Sequence, residues 1–196
     1  MLNRKNFKDS NLIFLYLVII SWAIVLYMVI DFDFLYKKHI QVFFSEDDSL
    51  IIDNVFQNRQ TKYLHTLFID EINFPLNAKK LRHDHLNSIA KLNLKNNFFA
   101  DFHIRINVIE EGFYEFIIKT DDGFALFVDS KELMKFEKRR ELKEDRSVMF
   151  LKKGNHLMDL VYFQAMGKTC LEFRYKPLQK DGPGYFIGKN TRYITF

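Results

Sequence analysis

The residues in this chain whose side chains could do chemistry form no catalytic set along the sequence. Asp121 and Asp122 stand side by side ahead of Gly123. Such a run makes a turn in which carboxylates bond nearby backbone amides and glycine is free to take a positive φ. His83, Asp84 and His85 put two imidazoles at i and i+2, one face of an extended strand and the beginning of a metal site, but no further ligands are evident. Cys170 is the single cysteine, so no intramolecular disulfide forms. A catalytic thiol needs a base beside it, and none is evident, so Cys170 reads as a small strand residue. Gly167, Lys168 and Thr169 imitate the end of a phosphate loop, yet the position five places before Gly167 is Tyr162, not glycine. Neither G-x-S-x-G nor H-E-x-x-H occurs. Glu110 and Glu111 read as solvated carboxylates at a strand entrance. With no catalytic set, the chain is expected not to be an enzyme.

The elements around these residues read as short strands. Phe102, Ile104, Ile106 and Val108 alternate on one face of an extended segment, and Tyr114, Phe116 and Ile118 on the next. Leu126 and Val128 follow the Asp121–Gly123 turn, Met158, Leu160 and Tyr162 alternate again, and Leu171, Phe173 and Tyr175 form the last clear face. Residues 131–146 carry dense charge of both signs and read as an exposed excursion. Turns are expected at residues 152–155 and at Gly182, Pro183 and Gly184, with one more short strand after them. Frequent turn signals between short alternating runs predict a mainly β fold, a sandwich or barrel. Hydrophobic content of 48% excludes disorder and supplies a packed core. The net charge of +4 is spread over 29 basic and 25 acidic residues in short mixed blocks, which argues against nucleic acid as a partner.

Residues 11–30, NLIFLYLVIISWAIVLYMVI, contain no charge, and none appears between Asp9 and Asp31. About 20 helical residues span about 30 Å, the hydrocarbon thickness of a bilayer, so a single transmembrane helix is expected there. The end of the segment has no small-residue cleavage pattern, so the helix is expected to stay as an anchor. Arg4, Lys5 and Lys8 precede it, and Asp31 and Asp33 follow. The positive-inside rule then puts residues 1–10 in the cytoplasm and the remainder outside the inner membrane; the lack of a wall-sorting tail points to a periplasm. Residues 31–61 read as a connector. Within it Ser45 starts an S-E-D-D helix signature, and Leu50, Ile51, Val55 and Phe56 fit a short amphipathic helix. A β domain is expected over residues 62–196.

The order of motifs resembles the PA14 domain family over about residues 98–177. Glu110 to Tyr114 make an E-x-G-x-Y-like lead-in, and Asp121 to Asp129 read DDG-x-x-L-x-x-D. Leu151 to Gly154 match an L-x-x-G turn, Val161-Tyr162-Phe163-Gln164 stands near a Y-F-Q segment, and Tyr175 falls near a closing aromatic. The resemblance implies a β-sandwich. It also implies a possible sugar site, because in calcium-dependent members two adjacent aspartates and an Asn from a second loop hold the ion; hard cations favour such oxygen ligands. Asp121 and Asp122 match the aspartates, and Gln164 stands near the expected Asn within a short second loop. Two readings stay open: a structural turn, or a metal and glycan site at Asp121, Asp122 and Gln164.

Together these features predict a non-enzymatic, membrane-anchored periplasmic scaffold that meets an envelope protein. An accessory part of a flagellar motor or secretion apparatus has this layout. The alternative is a calcium-assisted module for an envelope glycan.

Overall fold

The computed structural model describes residues 16–27, 40–46, 52–57, 65–74, 97–166 and 169–196. The chain forms two compact units, Met1–Lys38 and His39–Phe196. In the first, residues 16–27 are helical. No helix among the described residues is long and apolar enough to cross a membrane. The rest of the 11–30 segment lies outside the described residues, as do His83, Asp84 and His85.

The second unit is mainly β. Its strands are β1 Ile40–Glu46, β2 His65–Ile69, β3 Asn73–Phe74, β4 Phe98–Val108, β5 Gly112–Thr120 and β6 Phe124–Val128, then β7 Lys131–Phe136, β8 Lys143–Leu151, β9 Gly154–Gln164, β10 Leu171–Pro177, β11 Tyr185–Phe186 and β12 Ile194–Thr195. They make two antiparallel sheets. The larger has the order β2-β1-β4-β9-β6-β7, with β12 on β4; the smaller has the order β11-β10-β5-β8, with β3 on β10.

Alternation puts one side of each strand into the layer between the sheets. Phe102, Ile104, Ile106, Leu126, Met158, Leu160 and Tyr162 from the larger sheet meet Tyr114, Phe116, Ile118, Phe173 and Tyr175 from the smaller. Every alternating face read from the sequence is thus a core face. A second cluster lies on the outer side of the larger sheet, where Ile52 and Val55 cover Phe99, Ala125 and Phe163. Burial on that side explains why β4 and β9 turn apolar on both faces near Phe99 and Phe163.

Three expectations give way. The connector helix at Ser45–Phe56 does not form in the described part: Ile40–Glu46 is strand β1, paired with both β2 and β4, and residues 52–57 make a turn and a bridge to Lys138. Ile40, Val42 and Phe44 are buried at period two, and that contact outweighs the capping signature at Ser45. The sandwich therefore begins at β1 rather than at residue 62. The charged stretch 131–146 is likewise no simple excursion; it contains β7 and the start of β8, with Leu133, Met134 and Phe136 packed against the core. At an edge the exposed face is charged, which hid the alternation. Two short strands, not one, follow the 182–184 turn.

Gly123 also works otherwise than expected. It has no positive φ; among the described residues the left-handed glycines are Gly154, Gly182, Gly184 and Gly188. A Cβ at Gly123 would lie 2.4 Å from Phe163 Cε1 and 2.7 Å from the Phe136 carbonyl oxygen. Gly123 is there because β7 and β9 approach it too closely for a side chain.

Candidate functional site

Strand β5 delivers Thr120 to one end of the sandwich, and the chain turns through Asp121, Asp122 and Gly123 into β6. Strand β9 brings Tyr162 and Gln164 to the same end, and the loop to β10 brings Ala165 and Cys170. The three residues singled out from the sequence, Asp121, Asp122 and Gln164, do converge.

Asp122 is 4% exposed and its Oδ2 accepts the Ala165 amide at 2.8 Å. Asp121 Oδ1 accepts the Cys170 amide and the Tyr162 hydroxyl, both at 3.1 Å. Asp121 Oδ2 has a long contact of 3.4 Å from Gln164 Nε2. The Tyr162 hydroxyl also reaches Gln164 Oε1, so one phenolic proton faces two oxygen acceptors. Thr120 Oγ1 donates to the Asp122 carbonyl at 2.7 Å and accepts from Arg140 Nη2 at 3.0 Å. The carboxylates thus clasp the β9–β10 loop to the β5–β6 turn.

Burial dominates the electrostatics. It pushes the Asp122 carboxyl up to about 6; the Ala165 amide opposes this, the Asp121 charge adds to it, and Arg139 pulls it down. Asp121 is also raised by burial, against the hydrogen bonds it accepts. The Tyr162 hydroxyl is pushed well above its ordinary range by burial and by both carboxylates, so it stays a donor.

A calcium ion takes six to eight oxygens. This end supplies two carboxylates and one amide oxygen, and the amide oxygen and two carboxylate oxygens already accept hydrogen bonds. Among the described residues no group of three or more His, Cys, Asp or Glu side chains could hold a metal ion. Gly167 and Lys168 of the second loop lie outside the described residues. The donor set present is therefore a partial shell.

Sequence reasoning missed two features. Tyr162 is the hinge of the clasp, though it was read only as a core-facing residue; its place two before Gln164 on one strand face was the available signal. The second is a clamp at the other end. His156 Nδ1 lies 2.6 Å from Asp129 Oδ2, and Nε2 lies 2.8 Å from the Lys152 carbonyl oxygen. Both partners are acceptors, so only a doubly protonated imidazole donates to both. Asp129 Oδ1 also accepts the Leu157 amide at 3.0 Å, which ties the β6–β7 turn to β9. Cys170 is buried and offers its amide to the clasp.

No family model matches the sequence, and no curated protein matches it. Solved structures do match the fold. The PA14 domain of the MpAFP antifreeze protein superposes with a TM-score of 0.58 at 10% identity, covering 76% of this chain and 86% of that one. The PA14 sugar-binding domain from RTX adhesin gives 0.58 at 15%, covering 76% and 94%. The Epithelial Adhesin 9 A domain from Candida glabrata, in complex with Galb1-3GlcNAc, gives 0.59 at 8%, covering 81% and 89%. The chain has a PA14-like fold.

Proposed function

We propose that this chain is a non-catalytic binding module, anchored in the inner membrane by residues 11–30, whose PA14-like sandwich holds an envelope protein on the periplasmic side. The observation that carries this reading is the clasp. Both aspartates at the family's ligand end are engaged in tying two loops together, Asp122 to Ala165 and Asp121 to Cys170 and Tyr162. Their first role is to build that end, which leaves recognition to the outer surfaces. The anchor rests on the uncharged stretch from residue 11 to residue 30. A flagellar motor or secretion apparatus is the kind of assembly that uses such a part. Affinity purification of the full chain from detergent-solubilised membranes tests it: a stoichiometric envelope protein should copurify, and recovery of the chain alone overturns the reading. A reporter fused after Phe196 should be active only outside the cytoplasm.

A second reading, a calcium-assisted glycan module, is favoured by one observation. Two adjacent carboxylates are raised by burial, and the contact of Asp121 Oδ2 with Gln164 is long, 3.4 Å. A cation there would stabilise both charges. Two of the similar folds are, by name, a sugar-binding domain and an adhesin domain with a bound disaccharide. Asp121→Asn with Asp122→Asn separates the readings. Loss of calcium-dependent glycan binding with copurification intact makes the glycan the main ligand; no glycan binding by the parent chain removes the second reading.

A further inference from the structure

Of the exposed apolar side chains, Ile109, Phe113, Phe150 and Leu178 gather at the end away from the clasp, whereas Met166 lies at the clasp end. Strand β5 starts at Gly112 and reaches the clasp only at Thr120, so Phe113 lies at the far end. Phe150 is its cross-strand partner on β8, with ring centroids 5.2 Å apart, edge to face. The Leu178 amide bonds the Phe113 carbonyl at 2.8 Å, and the Ile109 amide bonds the Tyr193 carbonyl at 2.8 Å. Phe113 is 49% exposed, Phe150 44%, Leu178 46% and Ile109 41%.

The rest of this sheet face is unlike that end. Glu115 pairs with Arg146 at 3.2 Å and Lys176 at 3.3 Å, Glu144 with Arg146 and Arg174 at 2.6 Å each, and Lys119 with Glu172 at 3.3 Å. Under this ion lattice Ile117 is buried. An apolar tip beside a face sealed by paired charges has the composition of a surface that dips into an interface.

Basic and amphipathic groups surround the tip. The exposed Lys152 and Lys153 follow β8 directly. Lys180 Nζ lies 5.1 Å from the Tyr193 ring centroid and bonds the Tyr185 hydroxyl at 2.9 Å, and Arg192 stacks on Tyr193 at 4.8 Å. Tyr193 is 5% exposed, so the cations held over its ring, and not the ring itself, are what a headgroup layer meets. Glu110, Glu111 and Asp181 are exposed at the same end, so the basic excess is small and apolar insertion carries most of the attraction. Strand β1 is antiparallel to β4, with Gln41 opposite His103 and Glu46 opposite Phe98, so the chain enters the sandwich running towards the clasp.

We infer that this end of the sandwich, with Phe113, Phe150 and Leu178 at its tip and Lys152, Lys153 and Lys180 around them, docks on an anionic lipid surface and points the clasp away from it. The inference rests on the membrane-anchored reading. Both core clusters and every described strand lie within His39–Phe196, so that unit can be tested without the N-terminal segment.

The chain's one tryptophan is Trp22, so Phe150→Trp gives residues 39–196 a single tryptophan, excited selectively over the tyrosines, at the tip. Met166→Trp gives one at the clasp end, where Met166 is 53% exposed. With phosphatidylglycerol-containing vesicles, emission of the Phe150→Trp variant should shift to the blue and be quenched by brominated acyl chains, and emission of the Met166→Trp variant should not. In cosedimentation, Phe113→Ser with Phe150→Ser should lower vesicle partition by roughly tenfold or more, and Lys152→Glu with Lys153→Glu should remove the preference over phosphatidylcholine. Melting curves confirm that each variant is folded. No binding, equal quenching in the two fluorescent variants, or binding unchanged by the serine variant overturns the docking. So does a serine variant that keeps vesicle binding but loses a copurifying envelope protein. Carbonate extraction of the full chain tests the anchor separately: release from membranes refutes the anchored reading, whereas retention with no vesicle binding by residues 39–196 refutes only the docked end.

Discussion

Asp122→Asn turns the clasp into a measurable pH dependence. In the folded chain burial raises the Asp122 carboxyl from 3.8 to about 6. The folded state therefore binds this proton more tightly than the unfolded state. Between about pH 4 and 6 the folded form holds more protons, so stability falls as pH rises through that window. A proton held about two pH units more tightly corresponds to about 3 kcal/mol, all of it lost above the folded value. Asn keeps an oxygen for the Ala165 amide, now 2.8 Å from Asp122 Oδ2, and carries no charge. The Ala165 bond to the charged form is already contained in that value, so the relief is the net difference. The variant should thus be more stable than the parent by about 2–3 kcal/mol at pH 7.5, and the difference should shrink towards zero near pH 4. Urea unfolding of residues 39–196 across pH 4–8 reads this directly, because the difference between the two curves cancels the groups that do not interact with Asp122 and leaves the coupled Asp121–Asp122 pair. A difference curve that is flat with pH refutes the argument that burial governs this carboxyl. Added calcium extends the test: if an ion occupies the pair, it should raise the stability of the parent and not of the variant.

Other expectations follow from particular contacts. Gly123→Ala forces a methyl into Phe163 and the Phe136 carbonyl and should cost about 1–3 kcal/mol, while Gly112→Ala, with nothing within 4 Å, should stay near the parent; thermal melts of both check this. Tyr162→Phe leaves the buried Gln164 oxygen without its donor and should cost about 1–3 kcal/mol by chemical denaturation. For His156, burial pulls the imidazole down, but the Asp129 bond and the Lys152 carbonyl outweigh it, so the folded value is raised. Its stabilisation is present below about pH 6.5 and is lost as pH rises through the folded value; His156→Gln should flatten that part of the stability profile.

Much of the sandwich was legible because alternation with period two is a local signal. Phe102, Ile104 and Ile106, or Leu171, Phe173 and Tyr175, declare a buried face whatever their partner strand is. The same signal failed where local preference and tertiary contact disagree. Ser45 and its acids favour a helix start, but Val42 and Phe44 are buried between β2 and β4, and the strand wins. Strand β7 hid behind the charges of an edge.

The clasp shows the same division. Asp121, Asp122 and Gln164 could be named from motif order, since a turn and its residue types are written locally. That Asp122 meets Ala165, 43 positions away, and that Tyr162 sits between Asp121 and Gln164, depends on the pairing of β6 with β9. Desolvation depends on everything packed around a group, so the rise of the Asp122 carboxyl is a property of the fold and not of the Asp-Asp-Gly run. The tip is the reverse case. Phe113 and Phe150 look like ordinary strand residues in the sequence, and only the opposed register of β5 and β8 leaves both outside the core and in contact. By itself the sequence determined the strand faces, the turn and the apolar N-terminal stretch, because each is set by neighbours along the chain. The tertiary structure decided which carboxylates are buried and which aromatics are exposed, because both depend on contacts between residues far apart in sequence.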